Sequence, residues 1–232
     1  MGAGGVGTLT LSDALARPAA TAAGSIGIMG GTFDPIHVGH LAAAEEARDV
    51  LGLERILFVP AGLPPHKPGQ PVSAAVHRLA MVEVAIAGNP AFEVSRVDVD
   101  RVGPSFTVDT VELLAAAERA AGRAPNLTFI LSVETLRELP TWHEPDRLLA
   151  LCRLAVVPRE GYPAPGRAWL SEHFPGREER VVSLGGPRLG VSSSAIRERV
   201  ALGRSIRYLV PNEVATYIDD HHLYAEGVWP RN

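Results

Sequence analysis

The sequence predicts an α/β fold: a Rossmann-like, doubly wound parallel sheet of about six strands flanked by helices. Three observations predict it. Short apolar runs alternate with longer stretches whose apolar residues recur at helical spacing. The segments richest in Gly, His, Ser and Arg come directly after those runs, where a sheet of this kind binds its ligands. A chain of 232 residues, 46% hydrophobic and 21% charged, suits one well-cored domain. Residues 1–24, rich in Gly, Ala and Thr, read as a flexible tail, and 25–232 as that single domain.

The elements follow in order. Ile26–Met29 is a buried strand ending at Gly30-Gly31. His37–Leu51 is a helix, with Leu41, Ala44, Ala47, Val50 and Leu51 on one stripe. Arg55–Val59 is the second strand, closed by Pro60, and Ala74–Ala87 a helix with Leu79, Val82 and Ile86 on one face. Phe92–Ser95 is the third strand, Thr107–Ala121 an Ala-rich helix, and Leu127–Leu131 the fourth strand. Arg147–Leu151 is a short helix before the fifth strand, Arg153–Val157. Arg167–His173 is helical and Arg180–Leu184 is the sixth strand. Ser194–Ala201 and Asn212–Asp219 are closing helices, the second with Pro211 at its start.

Composition excludes several function classes. Of 22 basic residues only Lys67 is a lysine, and Pro68 follows it. A P-loop lysine followed by Ser or Thr therefore cannot exist, and a strand-borne kinase lysine is equally disfavoured. Residues 2–7, GAGGVG, match a dinucleotide fingerprint in letters only, since no strand precedes them. A net charge of −4 offers no broad basic field, so no nucleic-acid partner is expected. The tail has no continuous apolar core of a signal peptide, although Thr10–Ala16 could form a short amphipathic stretch. No apolar run approaches the roughly 18 residues of a membrane span, so a cytoplasmic chain without a membrane partner is expected. Cys152 is the only cysteine and reads as a small buried apolar residue. His221-His222 reads as a solvated helix end, and a homo-oligomer is left open.

Two segments carry the chemistry. The first runs Gly30-Gly31-Thr32-Phe33-Asp34-Pro35-Ile36-His37-Val38-Gly39-His40. Its glycines let backbone approach a ligand, and its amides can face phosphate oxygens. His37 and His40 share one face at a helix start, where the positive dipole end favours anions. Such a pair could also ligate zinc, but no obvious third ligand accompanies it, so no metal ligands are assigned. The second segment is Val191-Ser192-Ser193-Ser194-Ala195-Ile196-Arg197. One serine would suffice as a helix cap; three, with an arginine one turn in, make an anion cradle.

GGTFDPIHVGH and SSSAIR together resemble the nucleotidyltransferase superfamily with T/H-x-G-H and I-S-S-T-x-I-R signatures. The resemblance spans essentially Ser25–Tyr224. Within it, Pro64-Pro65-His66-Lys67, Gly103-Pro104-Ser105-Phe106-Thr107 and Leu139-Pro140-Thr141-Trp142 are similar to the nicotinate-nucleotide adenylyltransferases, as is the closing Tyr217-Ile218…Leu223-Tyr224. The resemblance implies ATP and nicotinate mononucleotide as partners in NAD biosynthesis, with Mg²⁺ carried on the ATP phosphates. Gly30, Gly31, Thr32 and Phe33 would line the ATP cleft with backbone groups. His37 and His40 would hold the ATP phosphates, with His40 nearest the reacting one; Ser193, Ser194 and Arg197 would hold the β- and γ-phosphates. His37, His40 and Arg197 would thus be catalytic. Lys67 would meet the mononucleotide phosphate, Trp142 would stack on nicotinate, and the amides of Thr107 and His143 would bind its carboxylate.

One segment departs from the pattern. Where the family usually has G-x-D, with the Asp on a nucleotide sugar, this chain has Ser132-Val133-Glu134. Glu134 is longer by a methylene, which leaves a sugar-binding role open. An adenylyltransferase for nicotinamide mononucleotide or phosphopantetheine is the alternative within the superfamily. A nucleotide-binding regulator without catalysis is the alternative outside it.

Overall fold

The computed structural model describes residues 22–65 and 71–225. Lys67 and residues 1–21, with GAGGVG and Thr10–Ala16, lie outside the described residues. Strand β1 (Ala22–Gly31) begins before Ser25, so the end of the expected tail already pairs in the sheet. It leads into α1 (Val38–Leu51), β2 (Leu53–Pro60), α2 (Ala75–Ile86) and β3 (Phe92–Val94). The second half runs α3 (Thr107–Ala120), β4 (Asn126–Ser132), α4 (Val133–Glu138), α5 (Pro145–Leu151), β5 (Arg153–Val157), α6 (Arg167–His173), β6 (Val181–Ser183), α7 (Ser193–Ala201) and α8 (Asn212–Asp220). Every expected element is present within a few residues. Helix α4 and the short 3₁₀ turns Leu139–Thr141 and Glu178–Arg180 are additions.

The six strands pair in parallel, in the order β3-β2-β1-β4-β5-β6. The chain moves outward from β1 to β3, and α3 then carries it back across β1 to β4. The strand order therefore reverses between β1 and β4, and such a reversal opens a crevice beyond the carboxyl ends of those two strands.

Side-chain alternation builds a core on each face of the sheet. Met29, Phe58 and Ile130 pack with Ala44 and Ala47 of α1, Met81 and Val82 of α2, Ile196 of α7, and Val214 and Ile218 of α8. Ile28, Phe129 and Val156 pack on the other face with Val108 and Val111 of α3, Leu136 of α4, Leu149 of α5 and Leu170 of α6. Both cores hold the rims of the β1/β4 crevice rigid. Among the described residues, no helix is long and apolar enough to cross a membrane.

Candidate active site

The crevice opens into a cleft of about 370 Å³ lined from the ends of β1, β2, β4 and β5 and from the start of α1. That size is adequate for much of a nucleotide. Gly30, Gly31, Thr32, His37, His40, Thr107 and Trp142 all line it. Gly30 suits the packing: a Cβ there would lie 3.0 Å from the Phe129 ring, which would have to give way. Phe129 in turn supports Trp142 edge-on, with ring centroids 6.3 Å apart. One face of Trp142 is thereby fixed at the cleft wall.

His37 caps α1 and His40 follows within its first turn, and their rings stack with centroids 3.7 Å apart. The His37 amide donates to His40 Nδ1 at 3.2 Å. This leaves Nε2 as the proton-bearing nitrogen of neutral His40. The ring edge of Phe33, 5.1 Å away, braces His40 from the other side. Phe33 itself is a core residue with φ of 51°, a conformation bulky residues seldom adopt. Contrary to expectation it does not line the cleft, because its ring is buried in the core, and it bears on the site only through that brace. Gly39 makes room for the pair, since a Cβ there would lie 3.0 Å from His37 Nδ1.

Both imidazoles are kept neutral. Burial, reinforced by the charge of Arg159, lowers His37 to about 4. His40 is also held well below the usual imidazole range by burial, by His37 and by Arg159. They therefore meet an anion as N–H donors, and an arriving polyphosphate would favour their protonation.

The two signature segments meet, although they are far apart in sequence. Arg197 Nη1 donates to the Asp34 carbonyl at 2.7 Å, and Ser193 Oγ donates to the Pro35 carbonyl at 2.9 Å. Arg197 also reaches Ser194 Oγ at 3.3 Å. The helix cap proper is Ser192, whose hydroxyl accepts from the Ala195 amide at 3.2 Å. Ser193, Ser194 and Arg197 thus dock α7 beside the β1–α1 loop, while Val191 lines the cleft on that side.

The remaining expected residues divide. Thr107 is the first residue of α3, whose amino end faces the cleft. His143 is exposed and packs on Phe106 with ring centroids 4.4 Å apart, away from the cleft lining. Glu134 does not line the cleft either; it pairs with Arg159 at 3.0 Å. Ser132, which stands where glycine is usual, caps α4 by accepting from the Thr135 amide at 3.2 Å. Ser followed within a turn by Glu is a helix-start signal that could have revealed α4.

Sequence reasoning missed three groups. Arg159 follows β5 directly and lines the cleft, a position that strand ends mark as functional. Asp98, 5% exposed, lines the opposite side and accepts from Thr110 Oγ1 at 2.8 Å and Arg101 Nη2 at 3.1 Å. Burial raises its carboxyl above the usual range, and those donors oppose the rise. Arg78, 1% exposed, donates to the carbonyls of Thr32 at 2.8 Å, Ser73 at 2.9 Å and Gly62 at 3.0 Å. It binds the ends of β1 and β2 into one frame. No group of three His, Cys, Asp or Glu that could hold a metal occurs among the described residues.

The sequence matches the cytidylyltransferase-like family over residues 28–199. A Roseiflexus sp. (strain RS-1) protein named "Probable nicotinate-nucleotide adenylyltransferase" is 49% identical over 199 residues, covering 86% of this chain and 97% of that relative. A Dehalococcoides mccartyi (strain ATCC BAA-2266 / KCTC 15142 / 195) protein of the same name is 42% identical over 85% of this chain and 96% of its own length. The fold is shared with Plasmodium falciparum nicotinic acid mononucleotide adenylyltransferase complexed with APC, at a TM-score of 0.69 and 17% identity, over 86% of this chain and 96% of that one. The chain belongs to the nicotinate-nucleotide adenylyltransferases, nucleotidyltransferases of the cytidylyltransferase-like family.

Proposed function

We propose that this protein transfers the adenylyl group of ATP to nicotinate mononucleotide, releasing pyrophosphate and forming deamido-NAD. The observation that carries the reading is the docking of Arg197 and Ser193 onto the Asp34-Pro35 loop beside the stacked His37 and His40. This brings the helix that carries the cation of one signature against the loop that leads to the histidines of the other. The substrate named by the close relatives, and the NaAD complex of the Plasmodium falciparum enzyme, support the choice of acceptor.

The reaction is an in-line displacement. An oxygen of the mononucleotide 5′-phosphate attacks the α-phosphorus of ATP, and the bond to the bridging oxygen of the β-phosphate breaks. The bond pair leaves with pyrophosphate. The attacking phosphate is already anionic near neutral pH, so no side chain need take its proton. His40 donates from Nε2–H and His37 from its own N–H to oxygens whose charge grows as the bond to pyrophosphate lengthens. Ser193, Ser194 and Arg197 do not line the cleft itself; they sit against the Asp34-Pro35 loop that leads to His37, and on this reading they would turn to the leaving phosphates once ATP is bound. Trp142 offers a flat face for the pyridine ring, and the amino end of α3 at Thr107 favours its carboxylate. Mg²⁺ fits as an ion brought on the ATP phosphates, since it keeps waters and phosphate oxygens rather than an all-protein cage. The reading places the protein with its metabolite substrates in the cytoplasm.

The test is pyrophosphate release from ATP with nicotinate mononucleotide, its amide and phosphopantetheine supplied in parallel. Release with nicotinate mononucleotide, at a kcat/KM well above the other two, is expected. Preference for another acceptor would reassign the substrate, and no release with any of them would make this a nucleotide-binding protein.

A further inference from the structure

The loop after β5 is fastened to α4. Arg159 Nε lies 3.0 Å from Glu134 Oε2. The Tyr162 hydroxyl donates to the same carboxylate, and the Tyr162 amide closes the turn on the Arg159 carbonyl at 3.2 Å. Arg137 Nη2 donates to the Pro163 carbonyl at 2.9 Å, a second tie between the same two segments. Arg159 lines the cleft with Pro158, His37 and His40, whereas Glu134 stays behind it.

We propose that Arg159 is a further phosphate ligand of this site and that Glu134 is its positioning residue, acting through the guanidinium and not on a nucleotide sugar. The inference rests on the adenylyl-transfer reading above. Both partners are part-exposed, at 40% and 34%, so the pair adds little to stability, and its consequence is orientation. The salt bridge uses the Nε edge of a fork that carries five N–H donors. One edge can stay on the carboxylate while the other meets a phosphate oxygen, which a lysine ammonium could not reproduce. The charge of Arg159 already depresses both His37 and His40, so the guanidinium and the imidazoles act on the same space. The phosphate could be that of ATP or that of the mononucleotide.

The experiment compares unaltered protein with Arg159→Ala, Arg159→Lys, Glu134→Gln and the double variant Arg159→Ala/Glu134→Gln. Arg159→Ala is expected to lower kcat/KM by about ten- to a hundredfold, with the KM that rises naming the nucleotide whose phosphate it holds. Arg159→Lys should recover only part of that loss. Glu134→Gln should raise the same KM by less, and the double variant should be no worse than Arg159→Ala alone. In nucleotide-free protein, the His37 imidazole followed by NMR should titrate higher in Arg159→Ala than in unaltered protein, a shift that a merely structural role would not produce.

Unchanged kinetics in Arg159→Ala, with the unaltered protein active, would overturn the proposal. So would additive losses in the double variant, or a penalty for 2′- and 3′-deoxynucleotides that disappears in Glu134→Gln, since either makes Glu134 act on its own. Absence of pyrophosphate release by the unaltered protein would sink the functional reading instead. In that event the His37 titration decides whether Arg159 faces the imidazoles.

Discussion

The Tyr224 hydroxyl donates a 2.6 Å hydrogen bond to Asp34 Oδ1 across 190 residues of chain. The other carboxylate oxygen accepts from the Ser73 amide at 3.1 Å, and the Asp34 carbonyl holds Arg197. The last described turn of the protein thus sets the residue on which the proposed phosphate cation rests. Burial and the Asp34 charge push the Tyr224 phenol far above its usual range, so it stays a donor at every working pH. Tyr224→Phe should destabilise the fold by about 1–3 kcal/mol, because a buried carboxylate loses a donor. Denaturant unfolding measures that loss. Part of it should appear in turnover as a rise in KM for ATP, through loosened Arg197.

Arg78 is the second buried hub. It ties Thr32, Gly62 and Ser73 together from a helix whose Leu79 and Val82 are likewise buried. Arg78→Met should cost about 3–5 kcal/mol, leaving three carbonyls and Asp34 without their cation. Arg78→Lys keeps the charge but cannot span three carbonyls, so it should fall between. Thermal unfolding of the two variants gives the order, and equal Tm values for Arg78→Lys and the unaltered protein would show that the fork is not needed.

These two hubs also mark where sequence reading stops. Strands such as Arg153–Val157, and helices such as the one ending at Leu51, were legible because apolar period and Gly or Pro punctuation coincide there. The two signature segments stood out as candidate anion sites because several donor types cluster within a few residues, and the structure brings the two segments together. Helix α4 was hidden: it has only six residues, and the same letters read as a loop of chemistry-bearing residues after a strand. Arg78 was hidden because an arginine in a helix looks solvent-facing until the carbonyls around it are placed. Glu134 could be seen to depart from the family pattern, but its partner on the loop after β5 could not be read from spacing. The contact between Asp34 and Tyr224 has no local signature at all.

Gly39 separates helix stability from the site. Alanine in place of glycine near a helix start should change stability by no more than about 1 kcal/mol, in the favourable direction if the chain can relax. Its Cβ would press on the His37 ring, and the stacked pair would have to shift. Gly39→Ala is therefore expected to unfold at the same or higher denaturant concentration yet lose activity. His40→Ala gives the upper bound, about 10²-fold or more in kcat, by analogy with loss of one oxyanion donor. Normal turnover in folded Gly39→Ala would show that the stacking geometry is not used.

His37 predicts a pH signature with a definite sign. Its imidazole titrates at about 4 in the folded protein against an ordinary 6.5. The unfolded chain therefore binds a proton more readily than the folded one between those values, and stability rises with pH across that window. The contribution is complete above about 6.5 and is lost as pH falls toward 4. Denaturant midpoints taken from pH 7 to pH 4 should decline, and His37→Ala should flatten that part of the decline. Binding of a non-hydrolysable ATP analogue should act in the opposite sense on the same groups, since phosphate charge favours the imidazolium. Calorimetry near pH 5.5 in buffers of different ionisation enthalpy should then register proton uptake on binding, and the uptake should shrink in His37→Ala. Proton release, or an uptake unaffected by the substitution, would place the bound phosphates away from the stacked histidines.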